Sequence, residues 1–316
     1  MKPDATIAVL GARGLVGSSI VRRLERENFA RVITADIGDV DLTDKRAALA
    51  WMTQHRPQYV FLAAAKVGGI AANDRYPADF LRINLEIQTN VIDAAFRTGV
   101  TRLLFLGSSC IYPKLAPQPM REAHLLTGPL EPTNDAYAIA KIAGILMCQS
   151  YNRQHGTDFI AAMPTNLYGP GDNFDLETSH VLPALIAKFH DAKMRDLPRV
   201  TLWGTGTPRR EFLYVDDLAD ALVFLMRHFA PEPRDVFLNV GVGEDVSIRE
   251  LAALVQSVVG YNGDILWDDD MPDGTPRKLL DVSALTQLGW RATTSLRDGI
   301  DNTYRWYLTH KANTPA

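Results

Sequence analysis

Cysteine is scarce in this sequence, two residues in 316, and Cys110 and Cys148 are too few to staple a disulfide framework. A chain so poor in cysteine is expected in a reducing compartment, with the cytoplasm as the default. Long apolar runs are missing as well, since no stretch approaches the roughly 20 residues that a membrane-spanning helix requires. The segment after Met1 enters a short apolar strand, Thr6 to Leu10, without the longer apolar run and cleavage site of a signal peptide. No membrane partner is expected. Positive charge is not in excess either: acidic residues outnumber basic ones, 37 to 33, and the net charge of −4 gives no general attraction to nucleic acid or anionic lipid. Any phosphate site must therefore be local. Internal repeats and low-complexity tracts are lacking, and no His/Cys/Asp cluster has metal-ligand spacing, so no metal is expected. The run Asp268 to Asp270 reads as a solvated loop in preference to a cation site.

What is present is an apolar fraction of 47%, enough to bury a substantial core in one large domain or two joined ones. Short β-rich runs alternate with helical patterns: TIAVL, LVGSSIVRRLERE, RVITAD, KRAALAWMTQH, YVFLAA. This alternation predicts βαβ units and a parallel sheet. It continues through an amphipathic stretch from Phe80 to Phe96, the strand RLLFLG, a helix from about Ala136 to Arg153 and the strand DFIAAM. Strands covered by helices on both faces read as continuous apolar runs, as these do. A doubly wound α/β fold of the Rossmann kind follows. After Pro164 loop formers take over in PTNLYGPGDNF; Leu218 to Phe229 and DVFLNV then look like a return to the main sheet. Residues 1–164 plus about 212–240 are assigned to the main domain, and 165–211 plus 241–316 to a smaller, interwoven C-terminal α/β lobe.

Gly11, Gly14 and Gly17 follow the first strand and open the first helix. Glycines there allow a tight turn and let backbone approach a pyrophosphate, while the helix N-terminus supplies unpaired N–H groups and a favourable dipole. Three spaced glycines alone could mark only a tight βα turn. With Asp36 at the end of the next strand, they make the main domain a dinucleotide-binding one. Asp36 could accept hydrogen bonds from a ribose and would repel a 2′-phosphate, favouring NAD(H); Arg13, inside the glycine loop, could pair with that phosphate and favour NADP(H). The two residues point in opposite directions.

Tyr137 and Lys141 lie four apart on a predicted helix and project from one face. An ammonium near a phenol favours the phenolate, so the pair is expected to lower the tyrosine pKa from about 10 and ease proton exchange near neutrality. A surface tyrosine beside a solvated lysine would give the same spacing. Ser108 and Ser109, just beyond the apolar strand LLFLG, weigh against that, because ligands of parallel sheets sit beyond the carboxyl ends of strands.

The glycine pattern, the serine after the fourth strand and the Tyr-x-x-x-Lys pair together resemble the extended short-chain dehydrogenase/reductases. LAAAKVGGIAAN, FLGSSCIYPK, EPTNDAYAIAKIAG, MPTNLYGPGDNF, SHVLPALI, WGTGTPRREFLYVDD and PDGTPRKLLDV resemble, in order and over nearly the whole chain, the GDP-L-fucose synthases within that family. The resemblance implies 3,5-epimerisation of GDP-4-keto-6-deoxymannose followed by nicotinamide-dependent reduction at C4. It implies that Tyr137 gives a proton to the carbonyl oxygen, Lys141 binds the nicotinamide ribose and Ser108 orients the carbonyl, with Ser109 the weaker candidate. Cys110 would abstract the C3 and C5 protons and His180 would reprotonate from the opposite face. A thiol and an imidazole, ordinarily titrating at about 8.5 and 6.5, both suit proton exchange near pH 7. Cys110 could otherwise be a small buried thiol and His180 a helix-start residue; Cys148 is assigned to the core. Further implied contacts to an NADP(H) cofactor come from Gly11, Ala12, Arg13, Gly14, Leu15, Val16, Gly17, Asp36, Leu106, Gly107, Ser108, Lys141, Pro164, Asn166, Leu167 and His180. For the GDP-sugar substrate they come from Asn166, Val181, Lys188, Trp203, Arg210 and Lys278. Arg209 competes with Arg210, and Trp203 could equally belong to the core. Relatives of this kind pair as homodimers through two long helices, here Phe80 to Phe96 and Ala136 to Arg153.

Overall fold

A computed structural model describes residues 1–176, 178–271 and 273–310. The first half of the chain alternates strand and helix: β1 (Thr6–Leu10), α1 (Leu15–Arg26), β2 (Arg31–Ala35), α2 (Lys45–His55), β3 (Tyr59–Leu62), α3 (Ile70–Arg75), α4 (Pro77–Arg97), β4 (Arg102–Leu106), α5 (Asp135–His155) and β5 (Phe159–Pro164). The second half carries β6 (Asn166–Tyr168), α6 (Val181–Met194), β7 (Arg199–Trp203), β8 (Arg209–Arg210), β9 (Phe212–Tyr214), α7 (Val215–His228), β10 (Phe237–Val240), β11 (Val246–Ser247), α8 (Ile248–Val259), β12 (Asp264–Asp268), β13 (Arg277–Lys278), α9 (Ser283–Gln287) and α10 (Leu296–His310).

Six strands form one parallel sheet in the order β10-β5-β4-β3-β1-β2. The run Phe237–Val240 does return to the main sheet, beside β5. The inner strands are buried on both faces while the edge strand β2 is buried only at Ala35, and each fully buried large side chain contributes about 1.5–3 kcal/mol by leaving water. Ile7, Val9, Phe61 and Leu104 pack against Leu218 and Leu222 of α7 and Ile20 of α1; Ala8, Leu62, Leu103 and Phe105 pack on the other side with Met52, Ile92 and Ile145. From β1 the chain winds to β2 one way and to β3 the other, so a crevice opens at the carboxyl ends of β1 and β3, the usual ligand position of such sheets.

A third cluster joins Leu182, Ile186 and Phe189 of α6 to Leu251 and Val255 of α8, Val200 and Leu202 of β7, and Ile300 of α10. Small sheets β11-β8-β13, β12-β7 and β6-β9 border it. The segment read as a solvated loop around Asp268 differs from expectation at its start. Asp268 ends β12, parallel to β7, because Ile265 and Trp267 alternate inward and pack on the third cluster; only Asp269 and Asp270 form an exposed turn.

Candidate active site

The glycine turn lies at the crevice. Gly11 takes φ +86°, and a Cβ there would meet the Ala64 backbone nitrogen at 2.6 Å; one on Gly17 would meet the Gly11 carbonyl oxygen at 2.0 Å. Only glycine permits this fold-back. Gly14 caps α1 without a side chain, and the first turn holds no acidic residue, so its N–H groups and positive dipole end are left for an anion. Asp36, just past β2, accepts the Arg13 backbone N–H through both oxygens at 3.2 and 3.1 Å. The carboxylate thus braces the glycine loop, while the Arg13 side chain stays 79% exposed beside it, its Nε 3.7 Å from Asp36. A dinucleotide pyrophosphate fits this cradle, and the exposed Arg13 guanidinium stands beside it, paired with Asp36.

Helix α5 carries the central pair. It can lie close to β4 because residue 144 is glycine: a Cβ there would sit 2.3 Å from the Phe105 ring. That approach puts Lys141, one turn earlier, against the end of β4, where its ammonium donates to the Leu106 carbonyl at 2.8 Å and lies over the Phe105 and Tyr137 rings at 4.9 and 5.7 Å. Burial lowers its pKa to about 8. Gln88 of α4 ties down the same helix through the Ala140 carbonyl at 2.6 Å, and Phe80 meets the Tyr137 ring edge-on.

Beyond β4, Ser108 caps a short 3-10 turn, Ser109–Ile111, with its hydroxyl accepting the Cys110 N–H at 3.4 Å. The same hydroxyl interacts with the Tyr137 phenol and the Cys110 thiol, favouring the charged form of each. Ser108, Cys110, Tyr137 and Lys141 therefore meet in one cluster. The expected lowering of the tyrosine pKa is reversed here. Burial and the neighbouring thiol push the phenol up, outweighing Ser108. At neutral pH Tyr137 keeps its proton. Burial likewise pushes the Cys110 thiol up, opposed by Ser108, Lys278 and Lys141. Cys148 is fully buried, pushed up to about 12, and belongs to the core.

His180 occupies the N-cap position of α6 but makes no capping hydrogen bond with its side chain. Its imidazole meets solvent, yet protein packed around it disfavours the charged form and lowers its pKa. Pro164 ends β5, and Asn166 and Leu167 open β6, with the Asn166 amide donating to the Glu211 carbonyl at 2.8 Å. Trp203, at the end of β7, is 66% exposed and so is not a core residue; the Lys188 ammonium lies 5.7 Å from its ring centre. Val181 is partly exposed at the start of α6. The two arginines separate clearly: Arg209 is bound to Asp245 at 2.7 Å and to Glu250 at 3.4 Å, whereas among the described residues the guanidinium of Arg210 hydrogen-bonds only to the Arg209 carbonyl and feels Asp273 at longer range. Lys278 lies beside Arg210 in the parallel β8–β13 pair.

One residue escaped the sequence reading. Glu211 is fully buried and accepts N–H groups from Val242, Gly243 and Leu280 at 2.6, 2.7 and 2.9 Å, while its own N–H donates to the Lys278 carbonyl. It thereby staples the strands that bear Arg210 and Lys278. Set between two arginines and FLY, it has no local pattern that marks it as buried. Among the described residues, no group of three or more His, Cys, Asp and Glu could hold a metal ion, and no helix is long and apolar enough to cross a membrane.

Residues 7–241 match the NAD dependent epimerase/dehydratase family. The chain is 57% identical over 310 residues to GDP-L-fucose synthase 1 of Arabidopsis thaliana, covering 98% of this chain and 95% of that protein. Among solved structures it is similar to a GDP-6-OMe-4-keto-L-xylo-heptose reductase from C. jejuni, with TM-score 0.92, 36% identity and coverage of 98% and 99%. It is also similar to a GDP-L-fucose synthetase from Naegleria fowleri bound to NADP, with TM-score 0.90, 27% identity and coverage of 98% and 95%. With its glycine turn, parallel sheet and Ser108–Tyr137–Lys141 cluster, the chain belongs to the NAD dependent epimerase/dehydratase family.

Proposed function

We propose that this protein converts GDP-4-keto-6-deoxymannose to GDP-L-fucose, inverting C3 and C5 and then reducing C4 with NADP(H). Relatives of near-equal length at 51–57% identity carry the synthase name. The single observation that carries the reading is the company of the thiol. A simple ketone reductase needs a serine, a tyrosine and a lysine, yet here Cys110 shares the Ser108 hydroxyl with Tyr137.

The chain's own groups then divide the work. The Cys110 thiolate takes a proton from the carbon beside the ketone, and the charge left behind spreads onto the C4 oxygen, where the Tyr137 hydroxyl can donate to it. His180 returns a proton from the other face. Ser108 orients the carbonyl, and Tyr137 gives C4–O its proton in the reduction. The glycine turn, Arg13 and Lys141 hold the nicotinamide cofactor, which when bound supplies the hydride. Residues 165–211 with 241–316 serve as the sugar-nucleotide lobe, with Arg210 and Lys278 toward the diphosphate and Trp203 toward the base. The protein works in the cytoplasm as a homodimer paired through α4 and α5, where Ile139 and Leu146 of α5 lie exposed seven residues apart.

A second reading has a specific likeness behind it: reduction at C4 without double epimerisation, as the name of the C. jejuni heptose reductase suggests for that protein. Incubation with GDP-4-keto-6-deoxymannose in heavy water separates the two. Deuterium at both C3 and C5 before reduction is expected; reduction with deuterium at neither carbon would leave the reductase reading.

A further inference from the structure

His180 comes to the chemistry from a different part of the fold. Ser108, Cys110, Tyr137 and Lys141 belong to the loop after β4 and to α5, whereas His180 stands at the start of α6. The chain before it is bonded to itself. Asp175 accepts the Thr178 N–H and hydroxyl at 2.9 and 2.8 Å, the Asn173 amide donates to the Thr178 hydroxyl at 2.9 Å, and the Ser179 N–H donates to the Asp175 carbonyl at 2.9 Å. Phe174 packs on Tyr307 of α10 with ring centres 4.8 Å apart. These contacts fix the shape of the segment but not its place relative to Tyr137.

The loop after β3 supplies that place. The Gly69 N–H donates to the Thr178 carbonyl at 3.3 Å, and a Cβ on Gly69 would meet the Thr178 and Ser179 carbonyl oxygens at 3.3 Å each. With φ at −66°, it is the close approach and not the backbone conformation that asks for glycine. The loop is held in turn from its other side. Buried Asn73 donates its amide to the Gly68 and Gly69 carbonyls at 2.8 and 3.0 Å, and Asn84 of α4 both accepts the Lys66 N–H and donates to the Lys66 carbonyl at 3.0 Å. Phe80, one turn before Asn84, has its ring tip 3.0 Å from where a Cβ on Gly68 would lie, and the same ring meets Tyr137 edge-on. A continuous run of contacts thus leads from Tyr137 through Phe80 and residues 66–69 to the Thr178 carbonyl.

We infer that Gly69 is a positioning residue for His180: its N–H and its bare Cα seat residues 178–180 against the loop after β3, and so set the imidazole on the sugar face opposite Cys110. The inference rests on the proposed epimerisation. In that step sulfur takes the carbon-bound proton, and the electron pair left behind moves onto the C4 oxygen. As the pair returns to carbon, the imidazolium gives its proton to the opposite face; solvent then takes the thiol proton and recharges the imidazole. A displaced imidazole stops only the second half. The Cys110 thiol trades its proton with solvent and returns a deuteron to the face it came from, so hydrogen exchanges without inversion. A misplacement of about 1 Å can cost roughly 100-fold in rate, so the smaller push of a methyl group against the two carbonyls should cost about tenfold.

The test follows the full-length protein with GDP-4-keto-6-deoxymannose in heavy water, reading initial rates of deuterium entry by mass spectrometry and the configuration at C3 and C5 by NMR. In Gly69→Ala, inversion should slow about tenfold while total deuterium entry stays within about twofold of the parent. A His180→Gln protein sets the reference for that split. Exchange and inversion that both match the parent overturn the inference. So do rates that fall together, since a general loosening of the site would slow both. If Gly69→Ala does not fold, Asn73→Ala, which releases the Gly68 and Gly69 carbonyls, is measured in its place with the same split expected. Failure of the underlying reading shows in the parent: a parent protein that exchanges no hydrogen overturns the epimerase reading and this inference with it, whereas a parent that exchanges and inverts confines any failure to Gly69.

Discussion

Glu211→Gln tests whether a buried staple, rather than the strands themselves, holds the cationic side of the site. The carboxylate receives two N–H groups on Oε1, from Val242 and Gly243, and one on Oε2, from Leu280. Glutamine has a single accepting oxygen. If it stays with Val242 and Gly243, the amide NH2 faces the buried Leu280 N–H, donor against donor; if it turns, the two loop N–H groups lose their acceptor. One unmet buried N–H costs about 1–3 kcal/mol. Burial already disfavours the charged form of Glu211, so removing the charge recovers part of that loss and leaves about 2 kcal/mol. With an unfolding entropy of about 2.1 cal/mol/K per residue, this lowers Tm by roughly 3 °C. Glu211 also holds the partners of Lys278 and Arg210, so KM for the GDP-sugar should rise while KM for NADPH stays within twofold. Thermal unfolding and initial-rate kinetics read both effects. A Tm within about one degree of the parent, with both KM values unchanged, would refute the staple.

The sheet was legible because its strands are apolar on both faces and its helices are periodic. TIAVL, KRAALAWMTQH and the helix from Ile248 to Val259 occupy the residues expected of them, while Phe80 to Phe96 proved to be the middle of a helix that begins at Pro77. Proline at the first helical position and the tyrosine before it could have marked that start. The short strands β6, β8 and β13 were illegible, since two or three residues carry no periodicity and are held by pairing across the fold. Within the site, residue types pointed to Ser108, Tyr137 and Lys141, but the direction of the tyrosine shift did not follow from spacing. A helix wheel gives the ammonium's side of the helix, not the depth at which the phenol is buried. The choice between Arg209 and Arg210 depended on Asp245, 36 residues away along the chain, which no local pattern reveals.

Tyr137→Phe keeps the edge-on contact with Phe80 and removes only the hydroxyl; reduction should slow about 100- to 10,000-fold while deuterium still enters C3 and C5, measured by NADPH oxidation and mass spectrometry. Trp203→Ala, at an exposed ring, should leave Tm unchanged and weaken GDP-sugar binding about tenfold by calorimetry, with NADPH affinity intact. The pH profile of deuterium entry follows from two shifts of opposite sense. Burial raises the Cys110 thiol and lowers the His180 imidazole, so at neutral pH the base is mostly protonated and the acid mostly not. The competent pair, thiolate with imidazolium, is a minority whose population stays level between the two pKa values, because each pH step that makes more thiolate removes the same factor of imidazolium. Entry of deuterium should therefore be flat across neutrality, falling only at a pH below the ordinary imidazole value of about 6.5, where the thiolate vanishes against a fully charged imidazole, and only above the ordinary thiol value of about 8.5, where the imidazolium vanishes against a fully ionised thiol. A sharp optimum at pH 7 would mean that thiol and imidazole are not the pair that moves these protons.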